Sequence, residues 1–122
     1  SHGSTFAGNP LGAAAGLATL DVIEDENLVA NAEARGEQLR DGIMATGNPL
    51  FVSVRGRGLL DAVELKHPCS HAVMNYCLEH GLIVNAVAPN ALRFAPPLIV
   101  TAQDVDQALA ILKDVPTDLP DD

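Results

Sequence analysis

Apolar side chains recur every three or four positions between residues 28 and 43, and charged side chains fill many of the positions between them. This period is that of an α-helix with one buried and one solvated face. We expect the helix to end before Gly47-Asn48-Pro49, because this turn chemistry cannot continue a helix. The apolar positions are Leu28, Ala32, Gly36, Leu39 and Ile43, and the polar positions are Glu33, Glu37, Arg40 and Asp41.

The segment 11–23 has a different pattern, because its apolar residues fall on every side of a helix. Asn9 is a suitable N-cap and Pro10 fits the first helical position, so this helix should begin at Pro10. A helix that is apolar all round needs a cover on every side. We expect that cover to come from a further domain or a partner subunit, which indicates a piece of a longer protein.

Segments rich in valine and leucine predict the strands. Residues 51–55 and 59–65 form a predicted hairpin, joined by Gly56-Arg57-Gly58 with glycine at positive φ. A third strand is predicted over Leu82–Val87 and a fourth over Leu92–Ala95.

Two further helices complete the predicted fold. The first is capped by Ser70 and stopped by Gly81. The second starts at a capping box made by Thr101 and Asp104 and runs through Lys113. This order of elements predicts an α+β fold, in which a small mixed or antiparallel sheet carries helices on one face.

Charge and composition exclude several classes of protein. Seven Lys and Arg against sixteen Asp and Glu give a net charge of −9 and a pI near 4.6, so nucleic acids and anionic membrane surfaces are repelled. No apolar run reaches the ~18 residues that a membrane helix needs, and no signal peptide is recognisable. We expect a cytoplasmic protein with reduced thiols, because Cys69 and Cys77 lie too far apart along a helix for a disulfide.

Five histidine and cysteine residues crowd the segment 67–80, at spacings that metal ligands on a helix can adopt. Structural zinc sites usually take ligands from two separated elements, and Pro68 interrupts the first pair here. We therefore expect no metal site and keep a zinc-binding domain as an alternative. The five residues are His67, Cys69, His71, Cys77 and His80.

Four segments, in family order and spacing, resemble the class III (ornithine-type) aminotransferases, which depend on pyridoxal phosphate. They are HGSTFAGNP at 2–10, VRGRGLL at 54–60, GLIV at 81–84 and LRFAPPLIV at 92–100. Within this family, the stretch NAVAPNALRFAPPL at 85–98 is most similar to the acetylornithine enzymes, with the ornithine enzymes second.

The resemblance implies the C-terminal part of a fold type I transferase. Residues 1–47 would then be a loop and helices leading from a large domain, residues 48–115 the small α/β domain, and residues 116–122 a disordered acidic tail. It also implies a homodimer formed through the large domain and pyridoxal 5′-phosphate as the cofactor. The implied reaction transfers the ω-amino group of N-acetylornithine to 2-oxoglutarate, which becomes glutamate, in arginine biosynthesis.

Three residues match family positions with a binding role. Thr5 and Ser4 stand where hydroxyl side chains reach across the dimer to the cofactor phosphate of the neighbouring subunit. Arg93 matches the residue that anchors the substrate carboxylate. Strand alternation independently sends Leu92 and Phe94 to one face and Arg93 to the other, and the planar fork of arginine donors fits a carboxylate.

The chain itself should hold no catalytic residue. The family bonds its cofactor through a lysine, and neither Lys66 nor Lys113 lies in a matching motif, so we expect that lysine upstream of Ser1 and an inactive isolated chain. Arg55 and Arg57 are interpreted as solvated charges of the hairpin without a site role. The alternatives are an ornithine or other ω-amino acid aminotransferase, and a non-enzymatic binding or assembly module that uses the apolar first helix.

Overall fold

The computed structural model describes residues 26–97 and 99–122. The predicted helix from Pro10 to Ile23 lies outside the described residues, as do Ser4 and Thr5. The helices are α1 (Glu26–Ala45), α2 (Ser70–Glu79) and α3 (Ala102–Lys113), and the strands are β1 (Phe51–Arg57), β2 (Leu60–Leu65), β3 (Asn85–Ala88) and β4 (Ala91–Phe94).

The four strands form one antiparallel sheet in the order β1-β2-β4-β3. β1 and β2 form the predicted hairpin, in which Val54 lies opposite Val63. β2 continues onto β4, where Val63 lies opposite Leu92. This arrangement confirms the predicted α+β fold with a small antiparallel sheet.

The helices cover one face of the sheet and enclose the core. α1 packs on β1 and β2, α2 packs on β3 and β4, and α3 packs on α1. No helix within the described ranges is long and apolar enough to cross a membrane. The largest fully buried side chains are those of Phe94, Leu39, Ile43, Leu50, Leu82, Leu92, Leu112, Val63, Val73, Val84, Val100 and Val105.

The other face of the sheet is open. Along β2, Asp61, Val63 and Leu65 are buried, whereas the alternate positions Leu60 and Glu64 are exposed and Ala62 is partly buried. Successive residues of a strand point to opposite faces, so this alternation separates a packed face from a solvated one. The open face is therefore the surface on which a ligand can reach the sheet.

The hairpin turn differs from its prediction at one glycine. Gly58 has a φ of 56°, as expected for the turn. Gly56 instead lies within β1, which continues to Arg57. A Cβ atom at Gly56 would collide with the carboxylate of Asp61 and the carbonyl oxygen of Leu60. Close approach of the neighbouring strand, rather than backbone conformation, requires glycine here.

The two predicted helix caps have different outcomes. The capping box is confirmed, because Thr101 Oγ1 accepts the Asp104 N–H at 3.1 Å and Asp104 Oδ2 accepts the Thr101 N–H at 3.0 Å. The predicted cap of α2 is wrong, because Ser70 is already helical and its hydroxyl donates to Asp122 Oδ2 at 3.1 Å. Asp122 Oδ1 also accepts the His71 N–H at 3.0 Å, so Asp122 caps α2.

The last two strands are shifted from their predicted bounds. Gly81, with φ of 89°, follows the end of α2 as expected. The third strand does not begin at Leu82, because Leu82 and Val84 lead the chain from α2 into the core, where both are buried. β3 begins only at Asn85. Apolar residues in this connection pack against the core without pairing as a strand.

Both ends of the described chain contact the body of the fold. α1, which the predicted boundary at residue 47 separates from the small domain, packs on β1 and α3. The tail 116–122 was expected to be disordered, but Leu119 packs against the core, and Asp122 contacts His71. The domain boundaries themselves stay a prediction.

Candidate carboxylate-binding groove

One row of side chains crosses all four strands on the open face. Ala62 of β2 lies opposite Arg55 of β1 and also opposite Arg93 of β4. Arg93 in turn lies opposite Asn85 of β3. Residues paired across neighbouring strands share a face, so the two arginines flank the small Ala62 side chain, with Cα atoms about 10 Å apart, two strand spacings.

An open groove of about 540 Å³ lies at this row. Its lining includes the guanidinium-bearing side chains of Arg55, Arg57 and Arg93, together with the apolar side chains of Leu60 and Ala62. Three of the seven Lys and Arg in a chain of net charge −9 therefore meet at one groove. This concentration makes the groove locally attractive to an anion.

The arginines of the groove have no carboxylate partner within the described part of the chain. All three are exposed, and the three ion pairs found there involve other residues. Arginine presents N–H donors in a planar fork that matches the two oxygens of a carboxylate. Arg55, Arg57 and Arg93 can therefore donate to a carboxylate that comes from a ligand.

A buried ion pair supports the groove from the packed face. Asp61 precedes Ala62 in β2, and its buried carboxylate Oδ1 accepts from Arg40 Nη1 at 2.9 Å. The same Nη1 donates to the carbonyl of Gly58 at 2.9 Å. Burial raises the pKa of Asp61, while the hydrogen bond and the charge of Arg40 lower it. Arg40, predicted for the solvated face of α1, is thus half-buried and fixes the hairpin.

The structure places Arg93 on the open face, as strand alternation predicts. It also brings Arg55 and Arg57 to the groove; both are exposed, as expected for solvated charges of the hairpin, but the sequence reasoning did not predict that they lie beside Arg93. Arg57 was assigned to the turn, whereas it is the last residue of β1. In a strand, residues at positions i and i+2 point to the same face, so the spacing of Arg55 and Arg57 is the sequence signal that could have placed them together. Substrate binding by Arg93 stays a prediction.

The described residues offer no attachment point for pyridoxal phosphate at the groove. The chain has two lysines. Lys66 follows β2 and Lys113 ends α3, and neither lines the groove. Ser4 and Thr5, the predicted phosphate contacts, lie outside the described residues. The groove can accept a carboxylate, but alone it does not fit the cofactor.

The five residues considered for zinc lie in different environments. Cys69 and Cys77 are free and buried, and burial raises the pKa of Cys77 to about 12. His67 and His71 contact aspartates of the tail, and His80 stacks on a tyrosine ring. In the part of the chain that the structure describes, no three His, Cys, Asp or Glu side chains gather as metal ligands would.

Comparison with known proteins decides the family. The model of the class-III aminotransferase family matches residues 1–115. The chain belongs to the class-III aminotransferases. This membership confirms the resemblance carried by the four sequence segments.

Individual relatives of this class-III aminotransferase chain are considerably longer. The acetylornithine aminotransferase of Gloeobacter violaceus is 44% identical over 122 residues, covering 98% of this chain and 30% of the relative. The ornithine aminotransferase of Emericella nidulans is 38% identical over 124 residues, covering 98% and 27%. The chain therefore spans less than a third of the length of either relative.

Solved structures agree with the fold. The crystal structure of N-acetylornithine aminotransferase from Stenotrophomonas maltophilia matches with a TM-score of 0.74 and 31% identity, over 87% of this chain and 30% of that one. The small antiparallel sheet with helices on one face is thus the arrangement of a fold type I aminotransferase.

Proposed function

We propose that the chain supplies the carboxylate-binding part of an aminotransferase that moves the ω-amino group of N-acetylornithine to 2-oxoglutarate. The observation that carries this proposal is the exposed guanidinium of Arg93, which lacks an ion-pair partner among the described residues and lines an arginine-rich groove. Two N–H groups of Arg93 donate to the α-carboxylate of the acceptor or of the glutamate formed from it.

The position of Arg93 suits an anchoring role. β4 is paired on both sides, with β2 and with β3, so its backbone is held by two ladders of hydrogen bonds. The neighbouring Leu92 and Phe94 are buried and fix the strand from below. A carboxylate bound to a guanidinium held in this way has a defined orientation, and orientation lowers the entropic part of a reaction barrier.

The cofactor belongs to the rest of the proposed enzyme. Pyridoxal 5′-phosphate, when bound, supplies the electron sink of transamination. Thr5 and Ser4 would hold its phosphate from across a homodimer, and a lysine outside the chain would bond it. The isolated chain is then inactive, and the intact enzyme acts in the cytoplasm in arginine biosynthesis.

The choice of amino donor rests on the relatives. Acetylornithine aminotransferases from Gloeobacter violaceus and Mycobacterium tuberculosis are 44% and 47% identical to the chain. An ornithine aminotransferase from Staphylococcus carnosus is also 44% identical, so ornithine is the second candidate donor. Comparing kcat/KM for the two donors in the full-length enzyme decides between them.

The role of Arg93 is tested by Arg93→Ala in the full-length enzyme. We expect the KM for 2-oxoglutarate to rise about 10- to 100-fold. A hydrogen bond to a charged group contributes about 1.5–3 kcal/mol, and each 1.4 kcal/mol corresponds to about tenfold in affinity. Steady-state kinetics with the acceptor as the varied substrate give this value.

Lys113→Gln is the matched control, because it removes one positive charge from an exposed position outside the groove. It should leave the KM for 2-oxoglutarate unchanged. An Arg93→Ala enzyme with the wild-type KM would remove Arg93 from the substrate site. A full-length protein that binds no pyridoxal phosphate would overturn the proposed function as a whole.

A further inference from the structure

The tail 116–122 folds back over the start of α2. The N–H of Asp122 donates to the carbonyl of Pro68 at 2.7 Å. The carboxylate of Asp122 accepts from the Ser70 hydroxyl at 3.1 Å and from the His71 N–H at 3.0 Å. Leu119 packs against the core. The tail is therefore held at its end and by one apolar side chain.

His67 also contacts the tail, through both nitrogens of its ring. Nδ1 lies 2.7 Å from Asp121 Oδ1, and Nε2 lies 3.2 Å from the carbonyl oxygen of Thr117. Both partners are acceptors. A neutral imidazole carries one N–H, whereas the imidazolium carries two. Only the protonated ring can donate to Asp121 and to Thr117 at the same time.

His71 differs from His67 in this respect. Its Nδ1 lies 2.8 Å from Asp122 Oδ2, which a neutral ring with its proton on Nδ1 can satisfy. The hydrogen bond with His71 lowers the pKa of Asp122, so this carboxylate stays ionised well below neutrality. The contacts of Asp122 therefore persist over the range in which a histidine titrates.

We propose that His67 is a proton-operated latch, which holds the stretch from Thr117 to Asp121 against the start of α2 when its ring is protonated and releases it when the proton leaves. Deprotonation removes one of the two N–H donors and leaves a ring lone pair facing an acceptor. Asp122 keeps the end of the tail in place, so the released stretch is a loop. This inference does not depend on the proposed function, and the matched family region ends at residue 115, before the tail.

The charged groups around His67 act in opposite directions. The hydrogen bonds with Asp121 and Thr117 raise the pKa of His67 above its ordinary value of 6.5, and the charge of Lys66 lowers it. α2 contributes His71, whose partner is Asp122. A raised pKa means that the latch is complete below pH 6.5 and is lost as the pH rises through the higher value of the folded protein.

The test is an NMR titration of the full-length protein with ¹³C-labelled histidine Cε1 and leucine methyl groups. We expect the Leu119 methyl signals to shift or broaden with the same midpoint as the His67 ring signal, above pH 6.5. High salt should lower this midpoint, because the His67–Asp121 pair is solvent-accessible.

Three variants make the test specific. His67→Gln should abolish the transition at Leu119, because glutamine does not titrate. Asp121→Asn should move its midpoint towards the ordinary value for histidine. His80→Gln is the control, since His80 is exposed and its Nδ1 contacts the carbonyl of Tyr76 instead of the tail. A Leu119 signal that is constant through the His67 titration, or a transition that survives in His67→Gln, would overturn the latch.

Discussion

At the scale of single residues, Asp61 is the buried carboxylate of the described chain. Its Oδ1 is paired with Arg40, whereas its Oδ2 has no hydrogen-bond partner there. A buried charge that loses its partner is strongly destabilising, even where the intact pair contributes little to stability. Arg40 thus neutralises the buried negative charge of Asp61. The hairpin places this carboxylate beside Gly56, at the edge of the groove.

The first prediction follows from this pair. Arg40→Ala should lower the free energy of unfolding by about 2–3 kcal/mol at neutral pH, because Asp61 then remains buried without a cation. Burial raises the pKa of Asp61, so the loss should shrink as the pH falls and the carboxylate is protonated. Urea unfolding at neutral and acidic pH measures both effects.

Glu33→Ala is the control for this prediction, because Glu33 is an exposed charged residue on the same helix. Exposed substitutions of this kind change stability by less than about 0.5 kcal/mol. A loss in Arg40→Ala that stays constant with pH would show that the packing of the arginine, not its charge, supports Asp61.

At the scale of elements, Asn48 joins the start of β1 to the end of α3. Its side-chain Oδ1 accepts the Leu50 N–H at 3.0 Å, and its Nδ2 donates to the carbonyls of Leu112 at 3.2 Å and Val115 at 2.9 Å. The last carbonyls of a helix have no partner within it. Asn48 satisfies such groups from a distant part of the sequence.

Asn48→Ala should therefore cost about 2–4 kcal/mol of unfolding free energy, because several buried backbone groups lose their partner together. The control is Asn90→Ala, which removes an exposed asparagine with a single long hydrogen bond of 3.4 Å to Leu65. Its cost should stay below about 1 kcal/mol. Equal losses in thermal or urea unfolding would contradict the bridging role of Asn48.

The same elements show how far the sequence alone could lead. The capping box at Thr101 and the amphipathic α1 were predictable, because their signals lie within one helix. The Asp122 cap of α2 and the Asn48 bridge were not, since their partners lie 52 and 64 residues away. Gly56 was assigned to the turn, because the need for glycine there comes from Asp61 on the neighbouring strand. That contact depends on the register of β1 with β2, which a local pattern does not show.

The candidate site was also predictable only in part, namely where its signal lies within one strand. Arg93 was identified from alternation along one strand, a local pattern, and from the family resemblance. Arg55 was missed, because its place beside Ala62 depends on the pairing of β1 with β2. The composition shows that the chain is acidic overall. That three of its arginine side chains meet on one face follows only from the pairing of the strands.

At the scale of the whole molecule, the hydrophobic core and the arginine-lined groove lie on opposite faces of one sheet. Leu92 and Arg93 are neighbours in β4, yet Leu92 is fully buried and Arg93 is exposed in the groove. Substitution of each should therefore affect a different property of the molecule. The pair offers a test of this division at adjacent positions.

Leu92→Ala should reduce the free energy of unfolding by about 2–5 kcal/mol, the usual cost of a cavity in the core. Arg93→Ala should change it by less than about 0.5 kcal/mol, as expected for an exposed side chain. Chemical denaturation of both variants measures these values. A large loss of stability in Arg93→Ala would contradict this division, because it would show that the Arg93 guanidinium stabilises the fold although it is exposed.

The alternation along these strands has a practical consequence for protein engineering. Randomised libraries restricted to Ser53, Arg55, Ala62 and Glu64 would vary only side chains on the face of the sheet opposite the core. Most members of such a library should fold like the parent, so a selection for carboxylate binding at the groove would lose few variants to misfolding.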